Sequence, residues 1–261
     1  MNASPQKVDV VILAAGQGKR MHQAFPGVPK VLVPLAGRPM LLHVLDAVDA
    51  SGIAAQVTVV VGPAVEKKVR TALTGRDIQF ALQPEPKGTG HAVLCARPAV
   101  SDAAHVLVLY GDQPLISAAT IRGVTQHHAS TGADMTMLTV PLPDFSSWRS
   151  SFADWGRIVR DASGRVVKSV EAKDASATEL GIKEVNPSFY CFRAPWLWEH
   201  LPQVGCENAQ GEYYLPDVLG IAVAQGAKLE TVAAHDSRET LGANTPEQLA
   251  VLERTYKELH A

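Results

Sequence analysis

Val8-Asp9-Val10-Val11-Ile12-Leu13-Ala14-Ala15-Gly16-Gln17-Gly18-Lys19-Arg20 runs from a largely apolar, β-branched stretch into a small, glycine-bearing loop ending in two cations. The first half reads as a strand, because β-branched side chains suit a pleated, buried surface. In the second half, Ala14, Ala15, Gly16 and Gly18 carry little or no side chain, so the backbone can press against a flat base or a phosphate chain. Arg20 offers a planar fork for phosphate oxygens, and Lys30, in Pro29-Lys30-Val31-Leu32, a compact point charge. Taken alone, the loop fits a tight turn with solvated cations equally well.

Working outward, strand-like runs at 57–61 and 106–110 alternate with helix-like stretches at 39–51, 63–73 and 89–99. That alternation predicts an α/β fold, a Rossmann-like, mostly parallel twisted sheet flanked by helices, with ligands gathered beyond the carboxyl ends of its strands. The loop is Gly-x-Gly-x-Arg, without the third glycine of a dinucleotide site, and no isolated acid follows about 20 residues on, so a nicotinamide oxidoreductase fits poorly. Beyond residue 117 the pattern loosens. Residues 135–140 read as a strand, and 157–170 as a hairpin folded over Asp161-Ala162-Ser163-Gly164, which predicts a mixed, β-rich substrate lobe. A last helix is expected over 245–259, with Thr245 as its cap and Pro246 in its first turn. The expected organisation is a single domain, 1–261, with a nucleotide-binding half over about 8–116 and a sugar-binding half over about 117–249. No internal repeat, and in particular no hexapeptide period of a β-helix, is present.

Composition narrows the classes. The chain carries 24 Lys and Arg against 26 Asp and Glu, a net charge of -2 that argues against wholesale binding to nucleic acid or an anionic membrane. Phosphate chemistry must then use a few placed cations. Cys95, Cys191 and Cys206 are far apart and odd in number, with neither metal-type spacing nor a disulfide framework. The run 10–15 is too short for a signal segment or a membrane span, so a cytoplasmic enzyme is expected.

Val106-Leu107-Val108-Leu109-Tyr110 delivers Gly111-Asp112 at a strand end, where a carboxylate can hold Mg²⁺ against phosphate oxygens. The bland alternative makes Asp112 a cap of the helix near Ser117 or a turn residue. Mg²⁺ needs only one or two protein ligands. Asn244, in Gly242-Ala243-Asn244, reads by itself as a turn residue.

Four segments, in order along the chain, resemble the N-acetylglucosamine-1-phosphate uridyltransferases: the loop 13–20; Gln83 through Gly88-Thr89-Gly90-His91; Tyr110-Gly111-Asp112; and Asn208-Ala209-Gln210-Gly211-Glu212-Tyr213-Tyr214. The likeness implies a nucleotide-diphospho-sugar transferase fold and transfer of a uridylyl group from UTP to N-acetylglucosamine 1-phosphate, with Mg²⁺ as cofactor and a cell-wall precursor as product. It implies that Leu13, Ala14, Ala15, Gly16, Gln83, Gly88 and Thr89 hold the nucleotide, Gln83 pairing through its amide with donor and acceptor of the uracil together. The same likeness puts Tyr110, Gly111, Gly156, Glu171, Asn186 and Asn244 at the sugar, Asp112 and Asn244 on the metal, and Arg20 and Lys30 on the phosphates. Catalysis is then positioning and charge neutralisation, with no protein nucleophile. On plainer readings Gln83 is a solvated loop residue, Thr89 a helix N-cap, Glu171 a strand-edge charge and Asn186 a loop residue.

Three departures from the family pattern stand out. Residues 22–28 lengthen the arm before Pro29-Lys30; Pro187-Ser188 replaces Thr-Gly after Asn186; and Pro216 replaces Thr. The family's C-terminal β-helix acetyltransferase does not follow, so uridyltransferase activity alone is expected. The alternatives are a nucleotidyltransferase of the same fold for another sugar phosphate or nucleoside triphosphate, and a non-catalytic sugar-nucleotide sensor.

Overall fold

In the computed structural model, which describes residues 7–100 and 103–260, the opening run forms strand β1 (Val8–Leu13), buried at every position. Its side chains alternate between two cores: Val10 and Ile12 enter one hydrophobic cluster, Val11 and Leu13 another on the opposite face. A strand covered on both faces needs apolar residues at both parities, hence a continuous run instead of an alternating one. Parallel neighbours β2 (Ala54–Val61) and β4 (His105–Tyr110) flank β1, and β3 (Gln79–Leu82) lies outside β2, giving the order β3-β2-β1-β4. Strand order reverses at β1, so the crevice at the carboxyl ends of β1 and β4 is the topological switch point.

The sheet then turns mixed. The later strands are β5 (Met135–Pro141), β6 (Gly156–Arg160), β7 (Val166–Val170), β8 (Glu184–Asn186), β9 (Tyr190–Arg193) and β10 (Leu229–Ala233). Antiparallel β9 is inserted between β4 and β5, and β8, β6 and β7 continue beyond the far end of β5. Parallel β10 lines the other side of β5, and all ten strands form one sheet. The expected hairpin is β6–β7. At its tip the Asp161 carboxylate accepts from the backbone N–H groups of Ser163 at 2.9 Å and Arg165 at 3.0 Å.

Helices α1 (Met40–Ser51), α2 (Glu66–Ala72) and α4 (Ala118–Thr131) pack on one face, and α3 (Thr89–Ala96), α6 (Ala194–His200) and α7 (Val218–Ala224) on the other; α5 (Ala177–Leu180) is a single capped turn. Two helices are shorter than expected. Residues 63–65 form a turn before α2. Helix α3 ends at Ala96 and tightens into a 3-10 turn over Arg97–Ala99, because Pro98 has no N–H for the α-helical ladder. Helix α8 (Pro246–Leu259) begins as expected: Thr245 accepts from Gln248 N–H, and Leu249 and Leu252 enter a third core with Met21, Met40 and Phe152.

Candidate active site

A cleft of about 500 Å³ opens beyond the carboxyl ends of β1 and β4. Its floor is the loop after β1, pinned where Gly111 N–H donates to Leu13 O at 3.0 Å. At Gly18 the chain takes a φ of +59°, and a Cβ there would stand 2.7 Å from Lys30 Cβ, so only glycine lets the loop pass this close to Lys30. Lys30 thereby enters the cleft. Its Nζ donates to Asn244 Oδ1 at 2.8 Å and forms a close ion pair with Asp112 Oδ2. The Lys30 and Asp112 side chains keep 14% and 10% exposure, too little for solvent to screen the pair as it would on the surface.

Asp112 is set by its surroundings. Gly111 is enclosed by Leu41, Val31 and the Leu13 carbonyl, so it packs behind the site and does not line it. Ala243 N–H donates to Asp112 O at 3.3 Å, and Gln248 Oε1, in the first turn of α8, accepts from Asn244 N–H at 2.7 Å. The capping alternative for Asp112 does not hold: Ser117 caps α4 through Thr120 N–H, and Glu239 accepts from Ser117 N–H.

At the other end of the cleft Gly88 adopts a φ of +100°, and a Cβ on it would fall 2.6 Å from Tyr213 O and 2.8 Å from Tyr213 N. Tyr213 N–H donates to Lys87 O at 2.9 Å, and Gly90 N–H to Tyr213 O at 2.8 Å, so two sequence-distant segments clasp each other there. Thr89 is the first residue of α3, after Gly88 as N-cap. Its hydroxyl accepts from Leu215 N–H at 2.9 Å, which corrects the N-cap reading and extends the clasp. Gln83, 5% exposed, uses its amide nitrogen twice: Nε2 lies 3.0 Å from Gly88 O and 3.2 Å from His91 Nδ1. That commitment leaves Oε1 as the amide's remaining polar atom, so the two-way pairing expected from the sequence is reduced to an acceptor.

A second, smaller cleft of about 210 Å³ shares Lys30, Tyr110 and Asp112 with the first. It is lined further by Gly156, Glu171, Asn186 and Asn244. Asn186 is nearly saturated: Nδ2 donates to Tyr190 Oη at 2.6 Å and Ser169 Oγ at 3.0 Å, while Oδ1 accepts from Ser188 N–H at 2.8 Å. Burial, helped by the nearby Asp217 and Asp174, pushes the Glu171 carboxyl up to about 7, and burial likewise pushes Asp217 up to about 6. Arg157, 2% exposed, donates to Ala153 O at 2.8 Å and to Trp155 O, and so shapes the loop that carries Gly156.

Leu13, Ala14, Ala15, Gly16, Gln83, Gly88 and Thr89 all lie on the wall of the larger cleft. Arg20 does not: it is exposed at the start of the 3-10 turn Met21–Gln23, and Lys19 lines the cleft in its place. Gln17, Glu212 and Trp155 also line the clefts without having been singled out. For Glu212 the signal was its position in Gln-Gly-Glu-Tyr-Tyr; Trp155 lay beside Gly156 with no pattern to mark it.

Asp112 Oδ2 and Asn244 Oδ1 converge on one cationic atom, Lys30 Nζ, so their hard oxygens already frame a cation. A carboxylate and an amide oxygen match what Mg²⁺ asks of a protein when phosphates and water complete its shell. Among the described residues no group of three or more His, Cys, Asp and Glu forms a richer metal site, and no helix is long and apolar enough to cross a membrane.

Residues 10–154 match the model of the MobA-like NTP transferase domain. The chain is similar to the bifunctional protein GlmU of Aromatoleum aromaticum, 47% identical over 250 residues, covering 96% of this chain and 52% of the relative. It is similar also to the proteins of that name from Chromohalobacter salexigens, at 46%, and Exiguobacterium sibiricum, at 44%, with coverage of 96% and 95% of this chain and 52% of each relative. The chain thus spans about half the length of the curated relatives it matches. With its glycine loop and strand-end aspartate inside the matched span, the chain belongs to the MobA-like NTP transferase domain family.

Proposed function

We propose that the chain transfers a uridylyl group from UTP to N-acetylglucosamine 1-phosphate, releasing pyrophosphate. The observation that carries this reading is the meeting of a nucleotide-sized cleft and a smaller polar cleft at Lys30, Tyr110 and Asp112. Two anions must be brought together there for an acceptor phosphate oxygen to attack the α-phosphorus, and a largely shielded cation at the junction, Lys30, answers their mutual repulsion. The floor of Ala14, Ala15 and Gly16 takes the nucleoside, and Glu171, with the one lone pair left on Asn186 Oδ1, offers polar atoms to sugar hydroxyls and an acetamido group. Arg20, outside both walls, reaches phosphates only if its exposed side chain swings inward. Mg²⁺ held by Asp112 and Asn244 would supply charge neutralisation at the phosphate oxygens. Lys30 then serves the phosphates, Tyr110 separates the two clefts, and the protein orients both reactants without forming a covalent bond to either. The division into a nucleotide half over about 8–116 and a sugar half over about 117–249 belongs to the same proposal.

Pyrophosphate release measured over a matrix of nucleoside triphosphates and sugar 1-phosphates, with and without Mg²⁺, tests it. Turnover confined to UTP with N-acetylglucosamine 1-phosphate and dependent on Mg²⁺ is the expected result. Faster turnover with another pair would displace the substrate assignment, and tight binding without turnover would favour a sugar-nucleotide sensor.

A further inference from the structure

We infer that His91 is a positioning residue that, together with Gly88 O, holds the Gln83 amide with its oxygen free for the nucleobase, and so strengthens the preference for uracil over cytosine. The inference rests on the proposed uridylyl transfer and extends it to a side chain outside both cleft walls.

Gly88 O is an acceptor whatever the rest of the site does, and it takes both Ala92 N–H at 3.1 Å and Gln83 Nε2 at 3.0 Å. The amide group facing it must therefore be the NH₂. The second Nε2 proton points at His91 Nδ1, 3.2 Å away. An amide nitrogen only donates, so Nδ1 must be the bare, accepting nitrogen and the ring proton must sit on Nε2. Cys95 lies one helical turn further along α3, and its Sγ is 3.6 Å from His91 Nε2, placed to accept that proton. Burial raises the Cys95 thiol above its ordinary value, which keeps the sulfur neutral. The relay Cys95–His91–Gln83–Gly88 thus runs in one direction, with each hydrogen bond fixing the next. Its outcome is a glutamine with both protons spent and Oε1 as what it can offer the base.

A lone acceptor discriminates between pyrimidines at N3. Uracil carries N3–H and can donate to Oε1, whereas cytosine presents a lone pair at N3 and meets the amide oxygen with repulsion. Thymine shares the N3–H of uracil, so Oε1 has no means of refusing it. Buried, committed polar groups give this kind of selectivity because the wrong ligand leaves them unpaired.

The test is the dissociation constants of UTP, CTP and dTTP, by titration calorimetry with Mg²⁺, for the wild-type chain and for His91→Phe, His91→Asn and Gln83→Leu. His91→Phe keeps a ring but offers Gln83 no acceptor. In His91→Asn the side-chain oxygen stands where Nδ1 stood. The expected result is a UTP-over-CTP preference that falls about tenfold in His91→Phe, recovers in His91→Asn, and is lost in Gln83→Leu, with the UTP-to-dTTP ratio unchanged in both His91 variants. Melting temperature alone would not follow this pattern, and N-acetylglucosamine 1-phosphate affinity should not change. An unchanged UTP-over-CTP ratio in His91→Phe, with the ratio lost in Gln83→Leu, would overturn the role of His91 and leave the uracil reading standing. Equal affinity of the wild type for UTP and CTP, or no effect of Gln83→Leu, would overturn the uracil reading and the inference with it.

Discussion

Gly88→Ala tests whether the clasp between residues 87–90 and 212–215 builds the base end of the cleft. Gly88 has φ +100° and ψ 175°, a region that is essentially glycine's alone, and forcing alanine into it costs about 1–3 kcal/mol. The added Cβ would also stand 2.6 Å from Tyr213 O and 2.8 Å from Tyr213 N, inside contact distance of a backbone that cannot rotate away. Retreat of Tyr213 would break its bonds to Lys87 O and from Gly90 N–H, each worth about 1 kcal/mol net. Strain and broken bonds together give a loss of about 3–5 kcal/mol if Tyr213 retreats and the clasp springs, with UTP binding weakened; if the clasp is kept, both bonds and the UTP affinity survive and the loss is the strain together with the backbone overlap. Urea denaturation and UTP calorimetry on the same sample separate the two. Gly211→Ala is the control: φ is +64°, nothing lies within 4 Å of the added Cβ, and about 1 kcal/mol is expected from the backbone alone. Stability within 1 kcal/mol of wild type together with unchanged UTP affinity in Gly88→Ala would refute the reasoning.

Asp112→Asn should cut pyrophosphate release by about a hundredfold or more, by weakening the charged end of the cation frame; normal turnover would remove Asp112 from the metal assignment. Glu171 holds its proton up to about 7 when folded, above the ordinary carboxyl value of 4.5, so the folded state binds more protons than the unfolded one between those values. The Glu171 share of stability should therefore fall as pH rises through that window, by about 3 kcal/mol, and Glu171→Gln should remove that share from the urea-midpoint profile. His128 has the opposite sign. Burial beside His105 holds its folded value near 4 against an ordinary 6.5, so its share of stability is present at pH 7 and is lost as pH falls toward 4. Between pH 7 and 5 that loss is about 2 kcal/mol, and a His128→Gln variant whose profile keeps the full wild-type acid slope would contradict it.

Much of this molecule was legible because the central strands carry one kind of side chain on both faces. β1 and β4 are buried along nearly their whole length and β2 over residues 57–61, so their composition announces them without help from periodicity. β9 is a four-residue strand beginning three residues after Pro187, and β10 is only half-buried and includes Glu230 and Thr231; neither has enough pattern to stand out, and their pairing with β5 is a tertiary decision. The cleft followed the same division. Backbone-type contributions, the small residues 14–16 and the strand-end Asp112, were visible because strand ends locate them. Side-chain direction was not: Lys19 and Arg20 are adjacent and chemically alike, and only the turn at Gly18 decides which of them lines the wall. Nor does any spacing reveal that Asn186 spends both its protons on Tyr190 and Ser169.

The lengthened arm shows why a departure in sequence need not displace the residue beyond it. Residues 22–28 leave and return between Gly18 and Lys30, and those two positions are nearly in contact, so the extra chain is an excursion with both feet together. Loop length enters closure entropy only logarithmically, so such an insertion changes stability little so long as its ends are held. They are held: Met21 is fully buried in the core beneath α8, Val31 is buried behind Gly111, and Lys68 donates to Gly27 O at the tip of the arm. Lys30 reaches Asp112 and Asn244 from a position fixed by its own 3-10 turn over Lys30–Leu32, not by the path of the chain before it. Pro187 behaves alike. It removes one backbone donor, but Gln113 Nε2 donates to its carbonyl at 2.8 Å, and Ser188, at a φ of +60°, returns its N–H to Asn186 Oδ1. The turn that presents Asn186 is therefore closed by side-chain hydrogen bonds, so its geometry depends on Gln113 and Asn186 together.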